Sequence, residues 1–156
     1  LEHQPDALPQ RLEAGTLNGP GIVGLKVATE HIMSIGLGDI YEKEHSLQQL
    51  FLEQIREIPG IRIYGDFTPE QVRCPIVSLN IGDVDSTQIG SWLQEDYGIA
   101  VRTGAHCAPL MHEYFGTRAQ GMVRFSFSYY NTVDEINVAA DALGEIAESV
   151  GFCGRE

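Results

Sequence analysis

The sequence has little positive charge and no long apolar run. It carries 10 lysine and arginine residues against 22 aspartate and glutamate residues, for a formal net charge of -12. Nucleic acids and anionic membranes select basic surfaces, so neither is an expected partner. No apolar stretch approaches the roughly 20 residues of a membrane-spanning helix.

Cysteine is also scarce. The three cysteines, Cys74, Cys107 and Cys153, are widely spaced and form no Cys-x-x-Cys pair. That pattern is a poor disulfide framework and a poor zinc site, so we expect no metal. Unpaired thiols are typical of a reducing compartment, and the predicted location is the cytoplasm.

Apolar periodicity and turn residues predict an α+β fold. The predicted helices cover about 22–35, 38–58, 86–97 and 109–115, and a last helix begins at a capping box formed by Thr132 and Glu135. The predicted strands cover 61–64, 75–81, 99–102 and 122–128, and a frayed tail follows from Gly151. This order predicts a small, mostly antiparallel sheet with helices on one face.

The segment Arg102-Thr103-Gly104-Ala105-His106-Cys107-Ala108-Pro109 carries the most chemistry. A thiol reacts as its thiolate, and a nearby histidine or positive charge lowers the pKa of a thiol. The turn after a predicted strand therefore makes Cys107 a candidate nucleophile, with His106 in an auxiliary role. The alternative is a buried, inert cysteine. His112, on the next short helix, is predicted to be a surface residue.

Two arginines flank this thiol in the predicted fold. Arg102 precedes Cys107 by five residues, and Arg124 lies on the following predicted strand. A guanidinium group pairs with a carboxylate through two charge-assisted hydrogen bonds. The pair predicts a binding site for an amino acid or keto acid.

Four blocks together resemble the C-terminal part of class V aminotransferase-like enzymes, in the cysteine desulfurase and selenocysteine lyase branch. They span 11 to 132 in family order: Arg11 to Asn18, Gly21 to Leu25, Arg102 to Pro109, and Val123 to Ser126 with Tyr130 to Thr132. The resemblance implies the small C-terminal domain of a fold-type-I pyridoxal-phosphate enzyme, preceded by linking helices. It implies 1–20 as the end of a large-domain segment, 21–59 as linking helices, 60–151 as the small α+β domain and 152–156 as a tail.

The same resemblance implies residue roles. Cys107 matches the persulfide-forming cysteine, Arg124 matches the arginine that holds the substrate carboxylate, and Arg102 lines the same pocket. Thr16 matches a residue that reaches the cofactor phosphate of the other subunit in a homodimer. The implied reaction converts L-cysteine to alanine and a persulfide, which a sulfur-acceptor protein can take up.

Two departures from the family pattern limit what the chain does alone. The family's Schiff-base lysine lies in a histidine-lysine-glycine setting, which neither Lys26 nor Lys43 has. We therefore expect that lysine upstream, outside this chain, and expect the chain alone to be inactive. Ala105 stands where some relatives carry another histidine.

The sequence leaves three other functions open. In the first, the full-length protein is a selenocysteine lyase or a true class V transaminase. In the second, the chain is a stand-alone module that carries or binds a persulfide on Cys107. In the third, the domain is structural and Cys107 is inert.

Overall fold

The computed structural model describes residue 3 and residues 5–13, 15–68 and 72–152. The chain divides into two units, Leu1–Ile40 and Tyr41–Glu156. The first unit holds a short 3-10 helix, Gln10–Leu12, and helix α1, Gly19–Ile35. The side chain of Asn18 caps α1 by accepting a hydrogen bond from the Gly21 amide at 3.1 Å. Pro20 in the first turn is pre-set for helical φ, which explains why the helix begins there.

Helix α2 and the second unit contain the rest of the secondary structure. The elements are α2 (Leu37–Ile55), β1 (Ile61–Tyr64), β2 (Ile76–Ile81), α3 (Ser86–Tyr97), α4 (Pro109–Phe115), β3 (Val123–Ser126) and α5 (Val133–Ser149). The three strands form one antiparallel sheet in the order β1-β2-β3. The fold is thus α+β, as predicted. Among the described helices, none combines the length and apolar character that a membrane crossing requires.

One face of the sheet belongs to the hydrophobic core. Val77, Leu79 and Ile81 alternate along β2 and are fully buried, together with apolar residues of α2, α3 and α5. Phe51 of α2 packs against Phe125 of β3, with ring centroids 4.9 Å apart. Alternation along a strand sends the residues between these to the opposite face.

The opposite face is covered differently from the prediction. Tyr64 of β1 pairs with Ser78, which lies outside the core face. Helix α4 covers this face, because the ring of Phe115 meets the ring of Tyr64 edge-on, with centroids 5.4 Å apart. The expectation of helices on one face therefore holds for α2, α3 and α5 only.

The capping box of α5 is confirmed. The Thr132 side chain accepts from the Glu135 amide, and the Glu135 carboxylate accepts from the Thr132 amide at 2.9 Å. These bonds lower the pKa of Glu135 below its usual range.

The predicted strand at 99–102 is wrong. Only Arg102 pairs with β3, through an isolated antiparallel bridge to Arg124. The Ile99 amide instead donates to the Leu93 carbonyl at 2.8 Å, after Gly98 ends α3 in the left-handed conformation. The chain is held to the end of α3 and reaches the sheet only at Arg102.

The prediction of a tail frayed from Gly151 is wrong for Phe152. Its amide donates to the Ala147 carbonyl at 2.9 Å, and its ring packs against the core. The ring lies against Gly60 and Gly82, where a Cβ atom would overlap it. Residues 153–156, including Cys153, lie outside the described residues.

Candidate functional site

Cys107 lies on a tight turn between the bridge at Arg102 and helix α4. Gly104, His106 and Cys107 have positive φ values of 84°, 53° and 58°. Two consecutive non-glycine residues in this region are unusual, and each costs on the order of 1 kcal/mol. The surrounding contacts must therefore hold the turn in place.

Hydrogen bonds at Gly104 anchor the start of the turn. The Gly104 amide donates to Oγ of Ser86 at 3.2 Å, and its carbonyl accepts from the Met122 amide at 3.2 Å. Gly121 lies directly beside this contact, with φ of 71°. A Cβ atom there would overlap Ser86 and come within 2.8 Å of Cα of Gly104. The glycine lets the turn lie flat against the segment that leads into β3.

The thiol has an arginine as its hydrogen-bond partner. Nη2 of Arg102 lies 3.3 Å from Sγ of Cys107, and both residues are exposed. The adjacent histidine points elsewhere, because Nε2 of His106 lies 3.0 Å from the Arg102 carbonyl. A guanidinium group beside the sulfur is complementary to a thiolate or persulfide anion.

In its neutral form, the His106 ring has a defined tautomer. A backbone carbonyl only accepts hydrogen bonds, so Nε2 carries the proton and Nδ1 has a free lone pair. Partial burial lowers the pKa of His106, and the hydrogen bond to the Arg102 carbonyl opposes this shift. The charges of Arg124, His112 and Arg102 lower the pKa further.

Strand register brings both predicted arginines to the same face of the sheet. Directly opposed residues in antiparallel pairs share a face. Arg102 opposes Arg124, Arg124 opposes Ser78, and Ser78 opposes Tyr64. These four residues form a row across the sheet, on the face opposite the core.

A cavity of about 290 Å³ lies over this face. It is lined by Tyr64, Gly65, Arg73, Ile76, Ser78, His106, Ala108, Met111, His112, Phe115, Met122 and Arg124. Arg124 and His106 therefore line the cavity. Arg102 and Cys107 lie beside it, on the exposed side of the turn.

Sequence reasoning missed Arg73 and misplaced His112. His112 is only 2% exposed, which corrects the prediction of a surface residue. Its Nδ1 pairs with Oγ1 of Thr117 at 2.9 Å, and its ring meets the His106 ring edge-on at 5.7 Å. The Thr117 amide also bonds to the His112 carbonyl at 2.9 Å. One sequence signal for the burial of His112 was available: a threonine follows the histidine by five residues, just after the glycine that ends the helix.

Neither lysine is among the residues that line the cavity. Lys26 pairs with Glu30 at 3.7 Å on exposed α1, and Nζ of Lys43 lies 4.6 Å from the Tyr129 ring centroid. A covalently bound carbonyl cofactor needs a lysine amine, so the described residues at this cavity do not fit one. Thr16 is exposed and lies in the first unit. Within the described ranges, no three histidine, cysteine or acidic side chains cluster as a metal site requires.

Comparison with known families gives one match over most of the chain. Residues 2–138 match the family model described as aminotransferase class-V. A cysteine desulfurase of Cronobacter sakazakii is 38% identical over 145 residues, and one of Salmonella agona is 39% identical over 143 residues. These matches cover 93% and 92% of this chain but 34% of each relative. The chain thus spans about a third of the relatives' length.

Solved structures share the fold. The apo structure of a cysteine desulfurase from Thermococcus onnurineus superposes with a TM-score of 0.82 at 32% identity, covering 90% of this chain and 34% of that one. The Escherichia coli cysteine desulfurase CsdA gives a TM-score of 0.76 at 28% identity, covering 91% and 33%.

We predict that Gly121→Ala destabilises the protein and loosens the cysteine turn. The added methyl group overlaps Ser86, so the free energy of unfolding should fall by roughly 2 kcal/mol or more. Urea unfolding measures the loss. Gly116→Ala is the matched control, because Gly116 also has a positive φ of 69° but nothing within 4 Å of its Cβ position. Equal losses in both variants would contradict the packing argument.

We also predict that His106 makes stability fall in mild acid. The unfolded histidine titrates near its ordinary pKa of about 6.5, and the folded pKa lies below that value. Between the two, the unfolded state binds more protons, so stability present above pH of about 6.5 is lost as pH falls through the folded pKa. Unfolding free energies measured against pH should fall less steeply for His106→Gln. An NMR titration placing the His106 pKa at or above the ordinary value would refute this.

Proposed function

The chain belongs to the class-V aminotransferase family, and we propose that it supplies the sulfur-accepting and carboxylate-binding groups of a cysteine desulfurase. The proposal treats the chain as the C-terminal part of a longer protein. Its support is the match to cysteine desulfurases over about a third of their length. The single observation that carries the proposal is the contact between Arg102 and Cys107. The backbone of Arg102 also pairs with Arg124, which lines the cavity.

Arg124 is the proposed carboxylate-binding residue. It lines the cavity, and its Nε is shielded from solvent without a hydrogen-bond partner among the described residues. A buried donor of this kind is satisfied by an acceptor that enters with the ligand. The carboxylate of L-cysteine supplies two such oxygens in the geometry that a guanidinium prefers.

Cys107 is the proposed sulfur acceptor. When its thiolate attacks the sulfur of L-cysteine, a sulfur–sulfur bond forms and the substrate's carbon–sulfur bond breaks. The electron pair of the broken bond stays on carbon, which gains a proton and leaves as alanine. The contact with Arg102 favours the anionic forms of the sulfur before and after transfer. Because Cys107 is exposed, a sulfur-acceptor protein can reach the persulfide.

His106 has a proposed auxiliary role at the cavity wall. Its Nδ1 lone pair can accept a hydrogen bond from a substrate donor, since Nε2 is engaged with the Arg102 carbonyl. Partial burial, and then the positive neighbours, lower the pKa of His106, which favours this neutral acceptor form. The ring therefore helps to orient the substrate without adding charge.

The cofactor comes from outside this chain in this proposal. The class-V aminotransferase family depends in general on pyridoxal phosphate, which supplies an electron sink. Its lysine belongs to the upstream part of the full-length protein. Thr16 is the proposed contact for the cofactor phosphate of the partner subunit in a homodimer. The free thiols at Cys74 and Cys107 suit the reducing cytoplasm.

In the full-length protein, Cys107→Ser should abolish persulfide formation from L-cysteine, because serine cannot form a sulfur–sulfur bond. Arg124→Gln should lower kcat/KM by on the order of 100-fold, since two charge-assisted hydrogen bonds are lost. Sulfide release with a thiol reductant and alanine formation measure both effects.

Matched controls make this test specific. Cys74→Ser replaces another exposed, free thiol, and Arg118→Gln replaces an exposed arginine that does not line the cavity. Both should behave as the unmodified protein.

Sulfur release that survives in Cys107→Ser would contradict the proposal, and amino transfer without sulfur release would favour a transaminase. Preference for selenocysteine would favour a lyase, and cofactor-free persulfide uptake by the chain alone would favour a carrier module.

The chain by itself should not bind pyridoxal phosphate covalently. Neither lysine is among the residues that line the cavity: Lys26 lies on α1 of the first unit, and Lys43 lies beside Tyr129. Adding an equimolar amount of the cofactor should therefore produce no visible absorbance band of a lysine adduct. A band that disappears in Lys26→Arg or Lys43→Arg would place a cofactor lysine in this chain.

A further inference from the structure

A second arginine lines the cavity and has no role in the proposed reaction. Arg73 lies just before β2, and its Nη1 donates to the Asp66 carbonyl. Its guanidinium plane lies over the Phe67 ring, 3.8 Å from the ring centroid. These contacts hold the side chain beside the end of β1 without involving a carboxylate.

The backbone that carries Arg73 is fixed from below. Gln48 of α2 is fully buried, and its Nε2 donates to the carbonyls of Cys74 and Ile76 at 3.2 and 2.9 Å. The segment that leads into β2 is therefore bonded to buried Gln48 at Cys74, the residue that follows Arg73. A side chain anchored at both its base and its tip is well suited to recognise a ligand.

Among the described residues, the cavity holds two positive charges without an acidic partner. Its lining includes Arg73 and Arg124 but no aspartate or glutamate. Nε of each arginine is shielded from solvent and has no hydrogen-bond partner among the described residues. Buried, unpartnered donors of positive charge indicate an anionic ligand.

The two arginines reach the cavity from different sides. Arg124 lies on β3, whereas Arg73 rests against the loop that follows β1, and β2 lies between them. Neighbouring strands are about 4.8 Å apart, so two strand spacings separate β1 from β3 by roughly 10 Å. Arg124 and the end of β1, beside which Arg73 lies, are thus about two strand spacings apart, so a molecule with an acidic group at each end can pair with both arginines.

We propose that the cavity takes a small organic dianion, an acid whose first carboxylate binds Arg124 and whose second acidic group binds Arg73. Arg73 is then a specificity-determining residue that favours substrates or inhibitors with a second negative charge. The assignment of the first carboxylate to Arg124 rests on the proposed function. The cavity volume of about 290 Å³ suits a molecule of amino-acid size.

The test compares two acids of similar length on the full-length holoenzyme at constant ionic strength. Glutarate carries two carboxylates and butyrate carries one. Calorimetry, or competition against L-cysteine, gives the dissociation constant of each. Glutarate should bind about tenfold or more tightly than butyrate, because a second charge-assisted pair forms.

Variants locate the preference. Arg73→Gln should weaken glutarate to the level of butyrate and leave butyrate unchanged, whereas Arg73→Lys should keep part of the preference. Arg124→Gln should weaken both acids. Arg118→Gln is the matched control, because Arg118 is an exposed arginine outside the cavity lining. If Arg73→Gln does not fold, the graded loss in Arg73→Lys decides the question.

Equal binding of the two acids, or a preference that persists in Arg73→Gln and Arg73→Lys, would overturn the proposal. The outcome is separable from the proposed function. Sulfur release that survives Cys107→Ser would remove the desulfurase assignment while the acid preference stands. A missing acid preference with Cys107-dependent sulfur release would remove only the dianion site.

Discussion

The arrangement at the site depends on one antiparallel bridge. The Arg102 amide donates to the Arg124 carbonyl at 3.2 Å, and the Arg124 amide donates to the Arg102 carbonyl at 2.8 Å. Because opposed residues share a face of a sheet, these two bonds set both guanidinium groups on the side away from the core. They also fix the start of the cysteine turn, whose thiol then falls within reach of Arg102. One backbone pairing thus connects the sulfur to the cavity wall.

The bridge is rigid because the strand that it joins is rigid. Val123 and Phe125 flank Arg124 on β3 and are buried against α2 and α3. Each fully buried side chain of this size stabilises the fold by roughly 2 kcal/mol. Those contacts exceed the cost of holding His106 and Cys107 at positive φ. The core face of the sheet therefore supports the strain on its other face, and the cysteine turn needs no core of its own.

The sequence allowed some of this to be predicted, and the limits have physical causes. Helix α4 and the capping box at Thr132 were predicted because proline, threonine and glutamate act on neighbouring backbone groups. The strand at 99–102 failed because its periodicity cannot reveal that Ile99 bonds to the end of α3. Cys107 and Arg124 came from local chemistry and family resemblance. Arg73 was missed because only the register of three strands and the loop after β1 bring it to the cavity.

The charge of the chain and the charge of the cavity have opposite signs, and distance decides which one governs a ligand. The net charge of -12 is spread over the surface, and salt screens exposed charges beyond a Debye length of about 8 Å under physiological conditions. The guanidinium groups of Arg73 and Arg124 act at hydrogen-bond distance in a recess whose described lining includes no acidic residue. Shielding from water strengthens those short-range pairs. An acidic protein can therefore keep a locally positive recess, because screening limits the reach of its exposed negative charges while the two guanidinium groups act at contact.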